Sequence, residues 1–300
     1  MIQIYFRMII LKSKYIRLVR PVAWIVFLFP FSVGFGLGAT TSTNLFHIVF
    51  SLIAFASCMS FSFMLNGLAD KEVDKFHDGR SKDMNLSYQP FVTGEVSEKM
   101  AYYIAVISVI ISLFFAWLVN YLFFTLMIIG NTIGYVYSLP PTRFKTKPIA
   151  DILCNALSAG IALIAGFSIG GANMNILFII GCFIVAAVVY IPTVVTDYDF
   201  DLKAGLKTSA VFFGPKNILL TLIPLTFVII TIFTFVIFTT NFELIISSLI
   251  IIVYVLIFVI AANVKFRDGR LYAHQNWIFV PFILLSIVYF SYGFFKIANI

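Results

Sequence analysis

Residues 51–74, SLIAFASCMSFSFMLNGLADKEVD, place an acidic cluster directly after an apolar run. The run carries no charged side chain up to position 65, which is typical of a membrane helix of about 20 mainly apolar residues. Asn66, Asp70 and Asp74 follow at intervals of one helical turn, so their side chains share one helix face. Carboxylates this close repel each other. The pattern therefore predicts a bound cation, and oxygen-rich ligand sets of this kind favour Mg²⁺.

A second acidic segment, DYDFDLKAGLKT at residues 197–208, also follows a long apolar run. Asp197 and Asp201 share a helix face, whereas Asp199 lies off it. Carboxylate-bound Mg²⁺ in proteins commonly serves to hold phosphate groups. Each segment alone is also compatible with an ordinary solvated helix end. Together, the two segments predict a membrane enzyme that handles a diphosphate.

The composition is that of a polytopic membrane protein. The 300 residues are 61% hydrophobic and 11% charged, with a mean hydropathy of +1.04, whereas soluble domains average about 25% charged residues. The three cysteines lie inside apolar runs without short spacing, which argues against a zinc site or a disulfide framework. The net charge of +7 does not indicate nucleic-acid binding, because the basic residues are distributed by membrane side rather than clustered.

Nine apolar segments predict an all-α integral membrane bundle that forms a single domain over residues 1–300. The predicted spans are roughly 21–40, 43–66, 99–119, 121–138, 149–170, 174–196, 216–238, 242–263 and 276–299. Residues 1–20 mix apolar and basic side chains and are predicted to form an interfacial amphipathic segment. Because the acidic segments follow spans two and six, the bundle is predicted to contain two related four-helix halves plus a ninth helix.

The charged residues predict the orientation of the protein in the membrane. Nineteen of the 20 basic residues fall in the N-terminal segment and alternate loops, and Lys296 is the exception. The positive-inside rule places these segments in the cytoplasm of a multi-pass cell-membrane protein. Among the acidic residues, only Glu243 falls on the other side. A one-sided distribution of Asp and Glu is not required by that rule, and it predicts a site at the cytoplasmic face.

A third segment, YSLPPTRFK at residues 137–145, ends the fourth predicted span. Its two prolines cannot donate backbone hydrogen bonds into a helix. Arg143 and Lys145 then lie at the membrane surface. They either hold the orientation of the chain or bind a diphosphate, Arg through its bidentate fork and Lys as a point charge. The spacing alone does not separate these two interpretations.

The three segments together resemble the UbiA superfamily of intramembrane prenyltransferases. Residues 66–74 are similar to its first aspartate motif, Asn-xxx-Asp-xxx-Asp, and residues 197–208 to its second, Asp-xxx-Asp-xxx-Gly-xx-Thr. Residues 137–145 are similar to the Tyr-Ser-x-Pro-Pro-x-Arg/Lys-x-Lys segment of the chlorophyll synthase-like and homogentisate prenyltransferase-like branches. The resemblance covers all nine predicted spans.

This resemblance implies a Mg²⁺-dependent transfer of a polyprenyl group from an allylic diphosphate to an acceptor within the bilayer. The implied metal ligands are Asn66, Asp70, Asp74, Asp197 and Asp201, and the four aspartates among them are the implied catalytic residues. The implied diphosphate contacts are Asn66, Arg80, Lys82, Tyr137, Ser138, Arg143, Lys145 and Lys203.

The expected partners are a polyprenyl diphosphate, a lipophilic acceptor and membrane lipid. A lipophilic acceptor such as a quinone precursor is favoured because the chain offers no soluble domain, and because Gln89 stands where many family members carry Arg. One alternative is a terpene cyclase on the same scaffold, which needs no acceptor. The other is a small transporter, although no ionisable residue lies near the middle of a predicted span. Asn131, Asn155 and His47 are explained by helix packing.

Overall fold

A computed structural model describes residues 13–71, 90–91, 94–267 and 276–299, and all regular structure within these ranges is helical. Four residues discussed above, Asp74, Arg80, Lys82 and Gln89, lie outside the described residues. In chain order, the helices are α1 (Lys14–Val19), α2 (Ile25–Gly38), α3 (Leu45–Ala69), α4 (Glu98–Trp117), α5 (Tyr121–Ser138), α6 (Ala150–Gly170), α7 (Ile176–Thr196), α8 (Tyr198–Lys203), α9 (Ser209–Phe213), α10 (Pro215–Leu220), α11 (Leu222–Thr239), α12 (Phe242–Arg267) and α13 (Asn276–Ala298).

The chain divides into two compact units. The first comprises Met1–Trp24 and Leu45–Phe144, and the second comprises Ile25–Asn44 and Lys145–Ile300. The packing therefore places the first predicted span with the later helices, so these units do not coincide with four-helix halves. The internal repeat and the single-domain assignment stay predictions.

In the first unit, α3 packs against α4 and α5, and α1 packs against α3. Leu18 of α1 is buried in an apolar cluster that includes Met64 and Phe91. Arg17 forms an ion pair with Glu95, which directly precedes Val96 of the same cluster. The described part of the predicted amphipathic segment thus buries one apolar side chain and pairs one basic side chain within this unit.

In the second unit, glycines bring α2 and α6 into close contact. A Cβ atom at Gly34 would lie 2.0 Å from the carbonyl oxygen of Leu163, and one at Gly166 would lie 2.1 Å from that of Phe31. Gly38 and Gly170 lie one turn further along their helices and also meet at backbone distance. Small residues spaced by four commonly allow membrane helices to approach closely. Close packing matters there because the hydrophobic effect does not drive helices together within lipid.

The nine predicted spans all correspond to helical segments, which confirms the all-α membrane fold. Eight helical segments of the described chain are long and apolar enough to cross a membrane. The predicted span 21–40 differs: it is a 3₁₀ turn, Pro21–Trp24, followed by the 14-residue helix α2. That helix measures about 21 Å, less than the hydrocarbon thickness of about 30 Å. Arg20, with a φ of 50°, ends α1 directly before Pro21 and redirects the chain there.

Candidate active site

The described part of the first aspartate segment, residues 66–71, lies at the end of α3, in the first unit. The backbone N–H of Asp70 donates to the carbonyl oxygen of Asn66 at 3.0 Å, so the two half-buried side chains are one helical turn apart. The guanidinium of Arg143 donates from Nη2 to the carbonyl oxygen of Ala69 at 3.1 Å. The same Nη2 lies 3.6 Å from Oδ1 of Asp70. The structure therefore brings together Asn66, Asp70 and Arg143, three of the predicted site residues.

The loop after α5 accounts for the position of Arg143. Leu139 is extended, as expected of a residue before proline, and ends the helix. The hydroxyl of Thr142 donates back to the carbonyl oxygen of Val136 at 2.8 Å. The backbone N–H of Arg143 donates to the carbonyl oxygen of Leu139, also at 2.8 Å. This turn directs Arg143 to the carboxyl end of α3, where the helix dipole favours a positive charge.

Ser138 and Tyr137 occupy the last turn of α5. Ser138 is fully buried, and its hydroxyl has no hydrogen-bond partner among the described residues. Buried hydroxyl groups in native structures are nearly always hydrogen-bonded. Tyr137 is half-buried. A partner outside the described protein atoms, such as a substrate oxygen, would satisfy the Ser138 hydroxyl.

The second aspartate segment joins α7 to α8, in the second unit. The N–H of Asp201 donates to the carbonyl oxygen of Asp197 at 2.9 Å, which places these residues one turn apart as predicted. Asp199, predicted to lie off this face, is exposed. Asp201 is buried, with 9% of its surface exposed, and its Oδ2 accepts a hydrogen bond from the Thr208 hydroxyl at 3.0 Å. This bond fixes the rotamer of the Asp201 carboxylate.

The glycine of this segment explains its spacing. Gly205 has a φ of 69°, in the left-handed region that favours glycine, and ends α8. The N–H of Leu206 donates to the carbonyl oxygen of Asp201 at 2.9 Å, and the N–H of Gly205 donates to the carbonyl oxygen of Leu202 at 3.1 Å. These two bonds form a Schellman motif, which reverses the chain. Thr208 thereby returns to the carboxylate that lies seven positions before it.

The two lysines predicted in the second unit differ in their surroundings. Lys145 lies in the 3₁₀ turn Phe144–Thr146 and is buried, with 8% of its surface exposed. Lys203 lies in the last turn of α8 and is exposed. A buried ammonium interacts more strongly with a neighbouring anion than a solvated one does, which favours Lys145 over Lys203 as an anion-binding residue.

Sequence reasoning missed one buried carboxylate. Asp151, in the first turn of α6, has 1% of its surface exposed, and accepts hydrogen bonds from the backbone and side chain of Ser209. The available signal was a single carboxylate at the start of an apolar span. Its partner, Ser209, directly follows the second aspartate motif.

The donor atoms of the two aspartate segments suit Mg²⁺. They are amide and carboxylate oxygens, the hard ligands that this ion prefers. Among the described residues, no group of three His, Cys, Asp or Glu side chains is placed to hold a metal, and Asp74 lies outside those residues. Since Asn66 and Asp70 are one turn apart at a helix end, an amide and a carboxylate are available on one face for a partly hydrated ion. The residues present fit the predicted metal.

Comparison with known proteins identifies the family. The UbiA prenyltransferase family matches the chain over residues 27–283, which include all three segments. The chain belongs to this family. A UbiA homologue from Archaeoglobus fulgidus, whose structure was solved bound to DMAPP and Mg²⁺, has 45% sequence identity and a TM-score of 0.91. That match covers 96% of this chain and 100% of the homologue.

Two more distant relatives are named for their activities. A lycopene elongase/hydratase from Haloarcula japonica is 25% identical over 205 residues, 67% of each chain. A 4-hydroxybenzoate octaprenyltransferase from Shewanella sp. (strain W3-18-1) is 25% identical over 203 residues, 67% of this chain and 68% of that protein. Together with the family match and the eight apolar helical segments of the described chain, these matches confirm that the chain is a prenyltransferase and an integral membrane protein, and they argue against the transporter alternative.

Proposed function

We propose that this UbiA-family protein transfers a prenyl group from an allylic diphosphate to a lipophilic acceptor, in a reaction that requires Mg²⁺. The observation that carries the proposal is the pair of oxygen-donor turns, Asn66 with Asp70 and Asp197 with Asp201, together with Arg143 beside the first. The Archaeoglobus homologue, bound to DMAPP and Mg²⁺, supports the same chemistry for a chain of 45% identity.

The metal-binding roles follow the two aspartate segments. The proposed ligands are Asn66, Asp70, Asp74, Asp197 and Asp201. Bound Mg²⁺ would neutralise the diphosphate as negative charge builds on the leaving group. The helical turns hold the donor atoms of each pair in place before substrate arrives, so that little reorganisation is needed during the reaction.

The basic and hydroxyl side chains of the other segments are proposed to hold the diphosphate. Lys145 supplies a buried positive charge, and the Ser138 hydroxyl supplies a donor with no partner among the described residues. Arg143 serves the diphosphate from its position beside Asp70. The remaining proposed contacts are Tyr137, Lys203, Arg80 and Lys82, and we expect a smaller contribution from Lys203 because it is exposed.

In the proposed reaction, the carbon–oxygen bond of the allylic diphosphate breaks, and a new bond forms between the prenyl carbon and the acceptor. The acceptor then loses a proton to the released diphosphate, which leaves as inorganic diphosphate. Aromatic side chains, 17% of the sequence, are suited to stabilise an allylic cation through their π faces. The acceptor is proposed to be a lipid-soluble quinone precursor or isoprenoid, and the site loops are proposed to face the cytoplasm.

The proposal is tested with purified protein in detergent, Mg²⁺ and radiolabelled allylic diphosphates of increasing chain length. Each diphosphate is presented with and without a panel of acceptors that includes carotenoids, 4-hydroxybenzoate and a phosphorylated glycerol lipid. We expect labelled lipid product only with an acceptor, loss of product in EDTA, and recovery with added Mg²⁺. Diphosphate release at full rate without acceptor, giving a cyclic hydrocarbon, would instead identify a cyclase.

A further inference from the structure

Asp151 is a buried carboxylate for which the proposed reaction has no use. Burying a carboxylate is unfavourable unless hydrogen bonds replace its hydration. Here Oδ2 accepts from the N–H of Ser209 at 2.7 Å, and Oδ1 accepts from the N–H of Ile152 at 2.9 Å and from the Ser209 hydroxyl. Three donors thus converge on a side chain with 1% of its surface exposed.

Ser209 extends this network to the chain before α6. Its Oγ accepts a hydrogen bond from the N–H of Ile149 at 2.7 Å while its hydroxyl donates to Asp151. Ile149 has a φ of 69°, a positive value that β-branched residues rarely adopt. Such strain persists only where the surrounding structure fixes the backbone, and it is found mostly at functional sites. The Asp151–Ser209 pair holds Ile149 in this conformation.

The network lies between two segments that carry proposed site residues. On one side, Ser209 directly follows Thr208, whose hydroxyl donates to Asp201. On the other side, Ile149 belongs to the short connection that leads from Lys145 into α6. Asp151 therefore links Ser209, which follows the hydrogen-bond partner of Asp201, with Ile149, four positions after Lys145.

We propose that Asp151 and Ser209 are positioning residues that set the geometry of Asp201 and Lys145. This inference rests on the proposed function. Asp151 is not assigned as the base that takes the acceptor's proton, because both of its oxygens accept hydrogen bonds and its surface is closed. It acts through Ser209 and Thr208. Loss of such an outer partner typically lowers metal affinity by about 10–100-fold.

Two variants test the proposal. Ser209→Ala removes the hydroxyl that bridges Ile149 and Asp151 but keeps the N–H that donates to Asp151. Asp151→Asn keeps the side-chain shape but replaces one acceptor oxygen by an NH₂ group, which then faces a hydrogen-bond donor. Ser286→Ala is the matched control, because Ser286 is also buried and its hydroxyl donates to the carbonyl oxygen of Phe282 in its own helix.

Two readouts separate a positioning role from a merely structural one. The first is Mn²⁺ binding in the presence of inorganic diphosphate, followed by the electron paramagnetic resonance signal of free Mn²⁺. The second is the Mg²⁺ concentration that gives half-maximal transfer. For Ser209→Ala we expect the dissociation constant for Mn²⁺ and the half-maximal Mg²⁺ concentration each to rise by about tenfold or more, with most of kcat restored at saturating Mg²⁺. Ser286→Ala is expected to match the parent protein.

A monodisperse Ser209→Ala protein with unchanged Mn²⁺ binding and unchanged Mg²⁺ dependence would overturn the inference. A loss of kcat that saturating Mg²⁺ does not restore would overturn it as well. If Asp151→Asn does not yield folded protein, Ser209→Ala alone decides. Failure of the parent protein to bind Mn²⁺ with diphosphate and to transfer a prenyl group would contradict the proposed function itself, which distinguishes that failure from the failure of this inference.

Discussion

The guanidinium of Arg143 lies 3.6 Å from the carboxylate of Asp70 and donates a hydrogen bond to the neighbouring carbonyl oxygen of Ala69. An arginine after α5 therefore neutralises part of the charge at the end of α3. With 17% of its side chain exposed, Asp70 is largely shielded from solvent, so the nearby positive charge offsets part of the cost of burying the carboxylate. The basic residue of the third segment and the first aspartate segment form one structural feature of the first unit.

This arrangement makes Asp70→Asn an informative variant, and Asp201→Asn is its counterpart in the second unit. Each replaces an anionic oxygen ligand by an amide and is expected to lower kcat/KM at least about a hundredfold. Initial rates of labelled lipid formation measure the effect. Asp199→Asn is the matched control, because Asp199 is exposed and lies off the shared face. Near-normal turnover by either active-site variant would remove that residue from the metal site.

A second prediction concerns Lys145, whose ammonium is buried. If it contacts the diphosphate, Lys145→Gln raises KM for the prenyl diphosphate about tenfold, which corresponds to about 1.4 kcal/mol for one charge-assisted contact. Lys207→Gln removes the same charge from an exposed position in the second aspartate segment and should leave KM within about twofold. Equal KM values for the two variants would mean that Lys145 only supports membrane orientation.

The periodic features of the site could be predicted from sequence because helix geometry alone decides them. Asn66 with Asp70, and Asp197 with Asp201, are one turn apart wherever the chain is helical. The contact of Thr208 with Asp201 is different, because it depends on the chain reversal at Gly205. The role of Asp151 was missed for a related reason: its partner, Ser209, comes from a segment far away in the sequence.

The spans could be predicted because their length and apolarity are local properties. The packing of α2 could not be predicted from sequence, because it depends on which helix supplies the facing glycines. The 3₁₀ start of that segment likewise depends on the left-handed Arg20. The predicted span 216–238 is interrupted at Thr221, which keeps right-handed helical angles, because Pro224 has no N–H to donate back into α10.

Thr208 gives a third prediction. Thr208→Val keeps the side-chain shape and removes the hydroxyl that donates to Oδ2 of Asp201. The carboxylate then loses a fixed partner, and we expect the Mg²⁺ concentration for half-maximal activity to rise about tenfold. Thr208→Ser keeps the hydroxyl and should stay within about threefold of the parent protein. If Thr208→Val stays close to the parent protein while Thr208→Ser loses activity, the methyl group of Thr208 rather than its hydrogen bond is what the site requires.

The close approach of α2 and α6 gives a fourth prediction, in which the sign is informative. Gly→Ala in a helix is intrinsically stabilising by about 1 kcal/mol. At Gly166, however, the new Cβ would lie 2.1 Å from a backbone carbonyl oxygen, so Gly166→Ala is expected to destabilise by about 1–3 kcal/mol. Thermal unfolding in detergent measures the change.

Gly130→Ala is the matched control for this packing prediction. A Cβ at Gly130 would meet the Sγ of Cys58 at 3.3 Å, a side-chain atom that can shift. We therefore expect Gly130→Ala to leave the unfolding temperature unchanged or slightly raised. A similar rise for Gly166→Ala would show that the two backbones do not pack as closely as the structure places them.

The last prediction concerns orientation, and it starts from the two charged residues that depart from the charge pattern. Lys296 and Glu243 form an ion pair with an Nζ–Oε2 distance of 3.1 Å, and Lys296 also donates to the carbonyl oxygen of Leu37 at 3.0 Å. The lone basic residue on the predicted outer side is thus partly neutralised and stabilises the carboxyl end of α2. It therefore opposes the positive-inside signal of the other 19 basic residues only weakly.

Single cysteines at Ser42 and Lys207, both exposed, are separated by five predicted spans and test this orientation in a background without the native cysteines. An impermeant maleimide should label Ser42→Cys on intact cells, and Lys207→Cys only after permeabilisation. Labelling of both positions from one side, or the reverse pattern, would contradict the predicted cytoplasmic location of the second aspartate segment.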